Sequence, residues 1–428
     1  MPLFARAKED AQPPTPASPQ PTYLPDRPRP QESGLRSPRV HRDYLISQVE
    51  SLRPFGVLLL DAAGLILCEE IIADLDLPTF TAATSAGWAV RASNLVGASE
   101  QHPVILPVVD HVDSTARRGA PLTGGTAVRV EPGAPVPEGA DAVVPEQDGL
   151  AIGDDVRFVR EARFQQNLVP AGSRIADGDR LLDRGVRLTP RALGLIAEIG
   201  HDKVLARPRP RVVVLAADDF LVEPGLPLTR LSQVYDACTT LLAATARDDG
   251  AQVFPAGIAP VDSKALARTL SEQLIRADLV LLVAELTDDL IDVLGDIGAI
   301  DVAEIEGLPG RHAFALLGVD RTPVLVLPPG PVPAYLTYLQ FGRPLLRRLE
   351  GEEPVGPIES SAPITEELTA DSDQARLLLA QRTDRGVTPL AGNDPGVVEL
   401  AAADTVIVVP PGAEPVPAHA DMACWHLD

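Results

Sequence analysis

The pattern of apolar and polar residues changes several times along the chain. Residues 1–40 show almost no apolar periodicity, whereas short β-like runs between Gly and Pro clusters fill most of residues 41–207. These changes predict five segments. They are a disordered Pro-rich tail at 1–40, an N-terminal linker or dimerisation domain at 41–80 and 156–207, a β-rich insertion or lid at 81–155, an α/β domain at 208–349 and a small C-terminal β-barrel-like domain at 350–428.

The segment 208–349 has the most regular pattern. Apolar β-like runs occupy Arg211–Ala216, Asp278–Val283 and Thr322–Leu327, and helical spacing marks 231–249, 263–276 and 332–349. Strands that alternate with helices predict a doubly wound α/β domain with a mainly parallel sheet. Such a domain binds its ligands in the loops beyond the carboxyl ends of the strands.

The flanking segments carry shorter elements. A helical spacing begins at Tyr44, and a helix is predicted at Pro190–Ile199, before Gly200. Predicted strands are Ala89–Arg91, Val104–Val109, Ala127–Val130, Ala142–Val144, Arg376–Arg382, Val397–Ala401 and Thr405–Val409. The predicted class is therefore a multidomain α/β protein.

Composition and charge exclude several classes of partner. The 428 residues contain 37 Lys and Arg against 60 Asp and Glu, a formal net charge of −23, which argues against nucleic acid and anionic membrane surfaces as partners. Cys68, Cys238 and Cys424 form no paired motif, so neither a disulfide framework nor a zinc site is predicted. With no export signal or spanning apolar run, the expected location is the cytoplasm.

The loops after the apolar runs of the α/β domain lack the usual catalytic motifs. The loop at 283–292 carries Glu285, Asp288, Asp289 and Asp292, which would repel an anionic ligand unless a divalent cation intervened. Acids also stabilise a helix N-terminus, and this interpretation is favoured over a metal site. No Walker loop, G-x-G-x-x-G or G-x-S-x-G is present.

Seven segments, in sequence and in order, resemble the molybdopterin molybdenumtransferase family, which includes the gephyrin E domain. They are LPTF at 77–80, GWAVR at 87–91, GAPVPEGADAVV at 133–144, LTPRALG at 188–194, PRVVVL at 210–215, ADLV at 277–280 and GRPLLRRL at 342–349. The resemblance covers residues 41–428. It implies four subdomains in each chain, an elongated homodimer, and an activity that inserts molybdate into adenylylated molybdopterin with the help of a divalent metal.

Several family motif positions differ in this chain. The resemblance places Thr81, Ala86 and Leu290 where the family has aspartates, and Pro132 where the family has threonine. It places Arg174 at one position of a pair that is acidic in the family, and Phe220 where the family has glutamate. Ligand-binding positions that remain as candidates are Arg129, Gly133, Asp219, Asp236, Asp292, Pro309, Gly310 and Arg311.

These differences predict that the chain is not an enzyme. The expected protein is a catalytically inactive, gephyrin-like homodimeric scaffold without cofactor that binds a short peptide segment of a protein partner, such as a membrane receptor or a cell-division component. Two alternatives stay open. One is a molybdopterin molybdenumtransferase that uses Mg²⁺ and molybdopterin. The other is a small-molecule sensor whose pocket is lined by Trp88, Phe220, Arg311 and His312.

Overall fold

The computed structural model describes residues 21–115, 121–352, 359–369, 375–390, 396–412 and 414–427. The chain divides into two compact units, one formed by residues 1–53 with 207–428 and the other by residues 54–206. The α-helices are α1 Pro38–Ser47, α2 Pro190–Glu198, α3 Cys238–Asp248, α4 Ser263–Leu274, α5 Asp288–Ile297, α6 Pro331–Thr337, α7 Arg343–Glu350 and α8 Val397–Ala402. A π-helical turn, Tyr338–Gly342, joins α6 to α7.

A six-stranded sheet, called here the core sheet, organises the first unit. Its spatial order is Gln252–Ala259, Arg211–Ala217, Leu279–Ala284, Thr322–Leu327, Leu308–Leu317 and Gly298–Ile305. The first four strands are parallel and the last two form an antiparallel hairpin. All six residues of Leu279–Ala284 are buried, as the continuous apolar run requires of a strand covered on both faces. The predicted mainly parallel α/β sheet is confirmed.

Helices cover both faces of the core sheet, because alternate residues of each strand pack into different apolar cores. Val212 and Val214 contribute to one core, together with residues of α3 and α7. Val213 and Leu215 contribute to the other, together with residues of α4 and α5. This period of two follows from the pleat of a strand. The doubly wound arrangement leaves the carboxyl ends of the parallel strands free to carry loops.

The predicted disordered tail is wrong for residues 21–40. The backbone of this stretch pairs with the edge strand Gly298–Ile305. The Leu24 N–H donates to the Ile300 carbonyl at 2.8 Å, and the backbone N–H of Arg36 donates to the Glu304 carbonyl at 2.9 Å. Leu24 is buried in the core, and α1 begins at Pro38. Proline content obscured this order, because the stretch is held by the sheet edge and not by its own apolar periodicity. Residues 1–20 lie outside the described residues.

The unit of residues 54–206 is rich in short strands. Its six-stranded sheet has the order Ala142–Pro145, Gly87–Val90, Ala127–Val130, Val104–Val112, Asp155–Phe158 and Gly149–Ile152. Three two-stranded ribbons pair Phe55–Leu58 with Lys203–Ala206, Ile71–Ile72 with Arg180–Leu182, and Ala82–Ala83 with Leu168–Val169. Helix α2 is capped by Thr189, whose hydroxyl accepts from the Ala192 N–H at 3.2 Å.

The C-terminal residues form a five-stranded antiparallel sheet. Its order is Glu359–Pro363, Asp421–His426, Thr405–Val409, Arg376–Thr383 and Gly386–Pro389. The predicted strand Val397–Ala401 is wrong, because these residues form α8. The Glu399 carboxylate accepts from the Gly396 N–H at 2.8 Å at the start of this helix, and this capping contact outweighs the β preference of two adjacent valines.

Three other differences concern the first unit. The helical spacing from residue 231 begins as α3 only at Cys238, and Val234–Tyr235 pairs instead as a short strand with Leu221–Val222. The strand Gln252–Ala259 and the hairpin of Gly298–Ile305 with Leu308–Leu317 were not predicted.

Among the described residues, no helix is long and apolar enough to span a lipid bilayer.

Candidate active site

A cavity of about 300 Å³ lies at the carboxyl ends of the parallel strands of the core sheet. Three loops line it. The loop after Arg211–Ala217 supplies Asp218, Asp219 and Phe220, the loop after Gln252–Ala259 supplies Val261 and Ser263, and the loop after Leu279–Ala284 supplies Glu285, Thr287, Asp289 and Leu290. This is the edge at which doubly wound sheets bind their ligands. We refer to it below as the sheet-edge cavity.

The first loop is fixed by its own side chains. Asp218 Oδ1 accepts from the Phe220 N–H at 2.6 Å, and Asp219 Oδ1 accepts from the Val261 N–H across the cavity at 3.4 Å. An aspartate that accepts from a backbone N–H two residues ahead stabilises a turn. The loop therefore presents Phe220 on a defined backbone, with 53% of the residue exposed.

Two helices begin at the cavity. Asp262 caps α4 by accepting from the Ala265 N–H at 2.9 Å, and Thr287 caps α5 by accepting from the Leu290 N–H at 3.2 Å. Each cap satisfies a backbone donor that the first turn of a helix leaves unpaired, and each is worth about 1 kcal/mol. The hydroxyls of Ser263 and Thr287 consequently lie at the N-termini of α4 and α5, where they can donate to a ligand.

Carboxylates dominate the charge of the cavity. Four of its lining residues are acidic: Asp218, Asp219, Glu285 and Asp289. The described residues contain no group of three or more His, Cys, Asp or Glu side chains arranged to hold a metal ion on their own. The lining thus offers oxygen acceptors and hydroxyl donors, and a cation bound here would need additional ligands from its substrate.

Comparison with known proteins places the chain in a family. A family model for the MoeA N-terminal region (domain I and II) matches residues 38–200. Molybdopterin molybdenumtransferase 2 of Mycobacterium tuberculosis is 30% identical over 410 residues, which cover 92% of this chain and 100% of that relative. The chain belongs to the molybdopterin molybdenumtransferase family. The resemblance predicted from the sequence is confirmed.

A further relative agrees with this assignment, and a solved structure shares the fold. Molybdopterin molybdenumtransferase 1 of the same organism is 31% identical over 417 residues, covering 89% of this chain and 96% of the relative. The crystal structure of a molybdopterin biosynthesis MoeA protein from Pyrococcus horikosii superposes with a TM-score of 0.83 at 24% identity, over 92% of this chain and 99% of that one. The mixed α/β fold is therefore the fold of MoeA.

The prediction that the chain is not an enzyme is wrong. Relatives that match nearly its whole length are named molybdopterin molybdenumtransferases. The prediction rested on the motif positions at which this chain differs from the family. In the structure, polar side chains still line the sheet-edge cavity, among them Asp219, Thr287 and Asp289.

The predicted site residues of the first unit divide between the cavity and its surroundings. Asp219, Phe220 and Leu290 line the cavity. Asp236 is buried and accepts from the Thr239 N–H at 3.0 Å, so it stabilises the start of α3. Residues that lie on exposed surface outside the cavity lining are Asp292, Pro309, Gly310 and Arg311.

Arg311 is engaged by the start of the acidic helix. Its Nη1 and Nη2 atoms each lie 3.1 Å from Asp288 Oδ1, and Nη2 also donates to the Leu286 carbonyl at 3.1 Å. This pairing offsets the charge of one of the acids at the N-terminus of α5. The acidic loop therefore acts partly as a helix start, as its composition suggested.

The other predicted site residues lie in the unit of residues 54–206. Arg129 donates to Glu146 Oε1 from Nε at 3.0 Å and from Nη2 at 2.6 Å, and Arg174 lies 3.1 Å from Glu198 Oε1. Thr81 accepts from the Ala171 N–H at 3.3 Å. The Ala86 carbonyl accepts from the Glu146 N–H, and Pro132 is exposed. Gly133 has a φ of 77°, and its N–H donates to the Ala83 carbonyl.

Of the four residues predicted to line a sensor pocket, only Phe220 borders the sheet-edge cavity. Trp88 is buried in the core of the other unit. His312 is buried on the strand Leu308–Leu317, and burial lowers its pKa to about 4 against a smaller opposing effect from the backbone of Pro309 and Leu308. Trp88, Arg311 and His312 therefore do not line the sheet-edge cavity.

Sequence reasoning missed the cavity wall contributed by Val261, Ser263 and Leu266. These residues follow the strand Gln252–Ala259, which was not predicted because Pro255 and Gly257 interrupt its apolar pattern. A usable signal was present, because the Asp-Ser pair before a helical spacing is typical of a helix N-terminus.

Proposed function

We propose that the chain is a molybdopterin molybdenumtransferase that inserts molybdate into adenylylated molybdopterin. The observation that carries this proposal is the 30% identity over the full length of a relative with that name. The position of the sheet-edge cavity supports it, since the substrate-binding loops of a doubly wound sheet lie at this edge. We infer that the cavity binds substrate.

The residues of the cavity fit a shared cation site. Mg²⁺ is commonly held by one or two carboxylates together with substrate phosphate oxygens and water. Asp219 is the carboxylate that would hold it, together with oxygens of the substrate and water, and the bound cation would offset the charge of the substrate's phosphates. The hydroxyls of Ser263 and Thr287 would donate to substrate oxygens at the helix starts, where the helix dipole favours negative charge.

Complementation tests the proposal. A strain that lacks molybdopterin molybdenumtransferase is given this chain, and the activity of a molybdoenzyme is measured in its extract. We expect restored activity, with a lower level for Asp289→Asn. Asp296→Asn is the matched control, because this exposed acid lies two turns along the same face of α5, about 10 Å from Asp289.

A wild-type chain that is expressed and folded but restores no activity would overturn the proposal. Equal loss in the Asp289→Asn and Asp296→Asn variants would show that the charge of α5 matters, and would argue against a site at Asp289. The homodimer stays a prediction, which the mass of the purified protein in solution would test.

A further inference from the structure

Phe220 is an unusual residue for its place on the rim of the sheet-edge cavity. More than half of its surface, 53%, is exposed. Only 4% of the chain's residues are aromatic, and this ring borders a cavity whose other exposed residues include Asp219, Glu285 and Asp289. An exposed phenyl ring beside polar groups forms a flat apolar surface that a ligand ring can cover.

The backbone on both sides of this ring is fixed. The Phe220 N–H donates to Asp218 Oδ1 at 2.6 Å, and the Phe220 carbonyl accepts from the Val234 N–H at 3.0 Å. The second bond joins the short parallel strands Leu221–Val222 and Val234–Tyr235. Because its backbone is held before a ligand arrives, Phe220 can bind a ring with little loss of conformational freedom.

The volume of the cavity limits what it can hold. Adenylylated molybdopterin carries two ring systems, a pterin and an adenine, joined by phosphates. A cavity of about 300 Å³ lies at the lower end of the range for small-molecule sites, which is roughly 300–1,000 Å³. It can therefore enclose one of the two ring systems, and the rest of the substrate must extend beyond it.

The hydrogen-bonding groups of the cavity favour the pterin. Glu285 and Asp289 line it, and neither side chain has a hydrogen bond or ion pair within the described part of the chain. Ionised carboxylates accept hydrogen bonds and donate none. The pyrimidine edge of a pterin presents a ring N–H beside an amino group, two adjacent donors that suit a carboxylate. The adenine edge alternates a donor with an acceptor, and a phosphate placed beside Glu285 and Asp289 would be repelled.

We propose that Phe220 positions the substrate by stacking against its pterin ring, while Glu285 and Asp289 accept hydrogen bonds from the donor edge of that ring. This inference rests on the proposed function, which supplies the identity of the substrate. It assigns to the sheet-edge cavity the pterin end of adenylylated molybdopterin, and it makes Phe220 a positioning residue.

Calorimetric titration tests the inference with two separate probes, 6-hydroxymethylpterin and AMP. The proteins are the wild type, Phe220→Ala, Phe220→Tyr and Phe164→Ala. The last variant is the matched control, because Phe164 is 71% exposed and lies in the unit of residues 54–206. We expect Phe220→Ala to weaken pterin binding about tenfold, as loss of a stacking ring does elsewhere. Phe220→Tyr and Phe164→Ala should retain wild-type affinity.

The AMP titration separates pterin recognition from general damage. Its affinity should be the same in the wild type and Phe220→Ala, and their melting temperatures should agree because the ring is exposed. Glu285→Gln and Asp289→Asn should each weaken pterin binding, since an amide replaces an acceptor oxygen by a donor. Absence of pterin binding to the wild type, or equal pterin affinity in Phe220→Ala, would overturn the inference.

Complementation distinguishes this failure from failure of the proposed function. If the wild type restores molybdoenzyme activity and Phe220→Ala binds pterin normally, the transferase stands and the role of Phe220 is rejected. If the wild type restores no activity but binds pterin through Phe220, the transferase is rejected and the cavity remains a pterin site.

Discussion

Arg36 and Asp301 form a buried, two-pronged ion pair between the N-terminal segment and the edge of the core sheet. Arg36 Nη1 lies 2.5 Å from Asp301 Oδ2, and Nη2 lies 3.0 Å from Oδ1. Their exposed fractions are 6% and 0%. Two parallel hydrogen bonds fix the planes of both groups, so this pair sets the position of residues 21–37 along Gly298–Ile305.

Removal of one partner of this pair should be costly. Asp301→Asn leaves the Arg36 guanidinium buried without its countercharge, and we expect the free energy of unfolding to fall by about 3–5 kcal/mol. Urea denaturation of the purified protein measures it. The double variant Arg36→Met/Asp301→Leu should lose less than the sum of the single variants, because it leaves no unpaired charge. Strict additivity would contradict this account.

Acid should destabilise the first unit before its carboxylates titrate. Burial lowers the pKa of His41 to about 3, assisted by Arg36 and His312, and lowers that of His312 to about 4. The unfolded chain takes up protons at both imidazoles from about pH 6.5. The folded chain takes them up only near the lowered values, so the stability present above pH 6.5 is lost as the pH falls toward 4.

The effect can be assigned with a single substitution. Neither ring nitrogen of His312 forms a hydrogen bond of good geometry, so His312→Leu removes a titrating group without stranding a partner. Denaturation of this variant between pH 7 and pH 5 should show a shallower loss of stability than the wild type. His102→Leu, at an exposed histidine, should retain the wild-type slope. Equal slopes in all three proteins would refute the assignment.

Asp249 connects α3 to the π-helical turn. Its Oδ2 accepts from Tyr338 Oη at 2.7 Å and from Arg343 Nε at 2.9 Å. Asp249→Ala removes both bonds and leaves a partly buried guanidinium, so we expect a loss of about 2–3 kcal/mol, against about 1 kcal/mol for Tyr338→Phe, which keeps the ion pair. Thermal denaturation compares the two variants. A larger loss in Tyr338→Phe would be inconsistent with this ranking.

Thr287 should contribute to stability through its cap on α5. Thr287→Ala removes the acceptor of the Leu290 N–H, and the expected loss is about 1 kcal/mol. Thr287→Ser retains the hydroxyl and is the control. Chemical denaturation should place the serine variant near the wild type, whereas indistinguishable serine and alanine variants would show that the hydroxyl does not act as a cap.

Gly87 should tolerate no side chain. A Cβ at this position would overlap the carbonyl oxygen of Val144 on the neighbouring strand, and backbone atoms of a paired strand cannot move aside easily. Gly87→Ala should therefore lower the melting temperature of the unit of residues 54–206. Gly124→Ala is the control, because nothing lies within 4 Å of its Cβ position. An unchanged melting temperature in Gly87→Ala would contradict the close approach.

The elements predicted best were those whose apolar pattern follows from burial alone. Thr322–Leu327 is buried on both faces, and its apolar run gave the correct bounds. Val397–Ala401 was mistaken for a strand, because a capping contact from Glu399 decided the local structure. Order in residues 21–37 could not be predicted, since it depends on pairing with a strand some 270 residues further along the chain.

The candidate site was predicted in part for a similar reason. The rule that ligands bind beyond parallel strands indicated the loops of Asp219 and Glu285, and these loops line the sheet-edge cavity. The part of the cavity lining at Ser263 was not predicted, because the strand before it, Gln252–Ala259, was not predicted either. The prediction of inactivity is contradicted by the names of relatives that match nearly the whole chain. It compared motif letters position by position, whereas side chains from several loops line the cavity.

The pairing of Arg36 with Asp301 also bears on the order in which the protein assembles during synthesis. The two residues are separated by 265 positions, and the whole of residues 54–206 is translated between them. Domains generally begin to fold as they leave the ribosome. The inserted unit can therefore fold while residues 21–53 still await their sheet, and the earliest residues of the first unit are among the last to reach their native contacts.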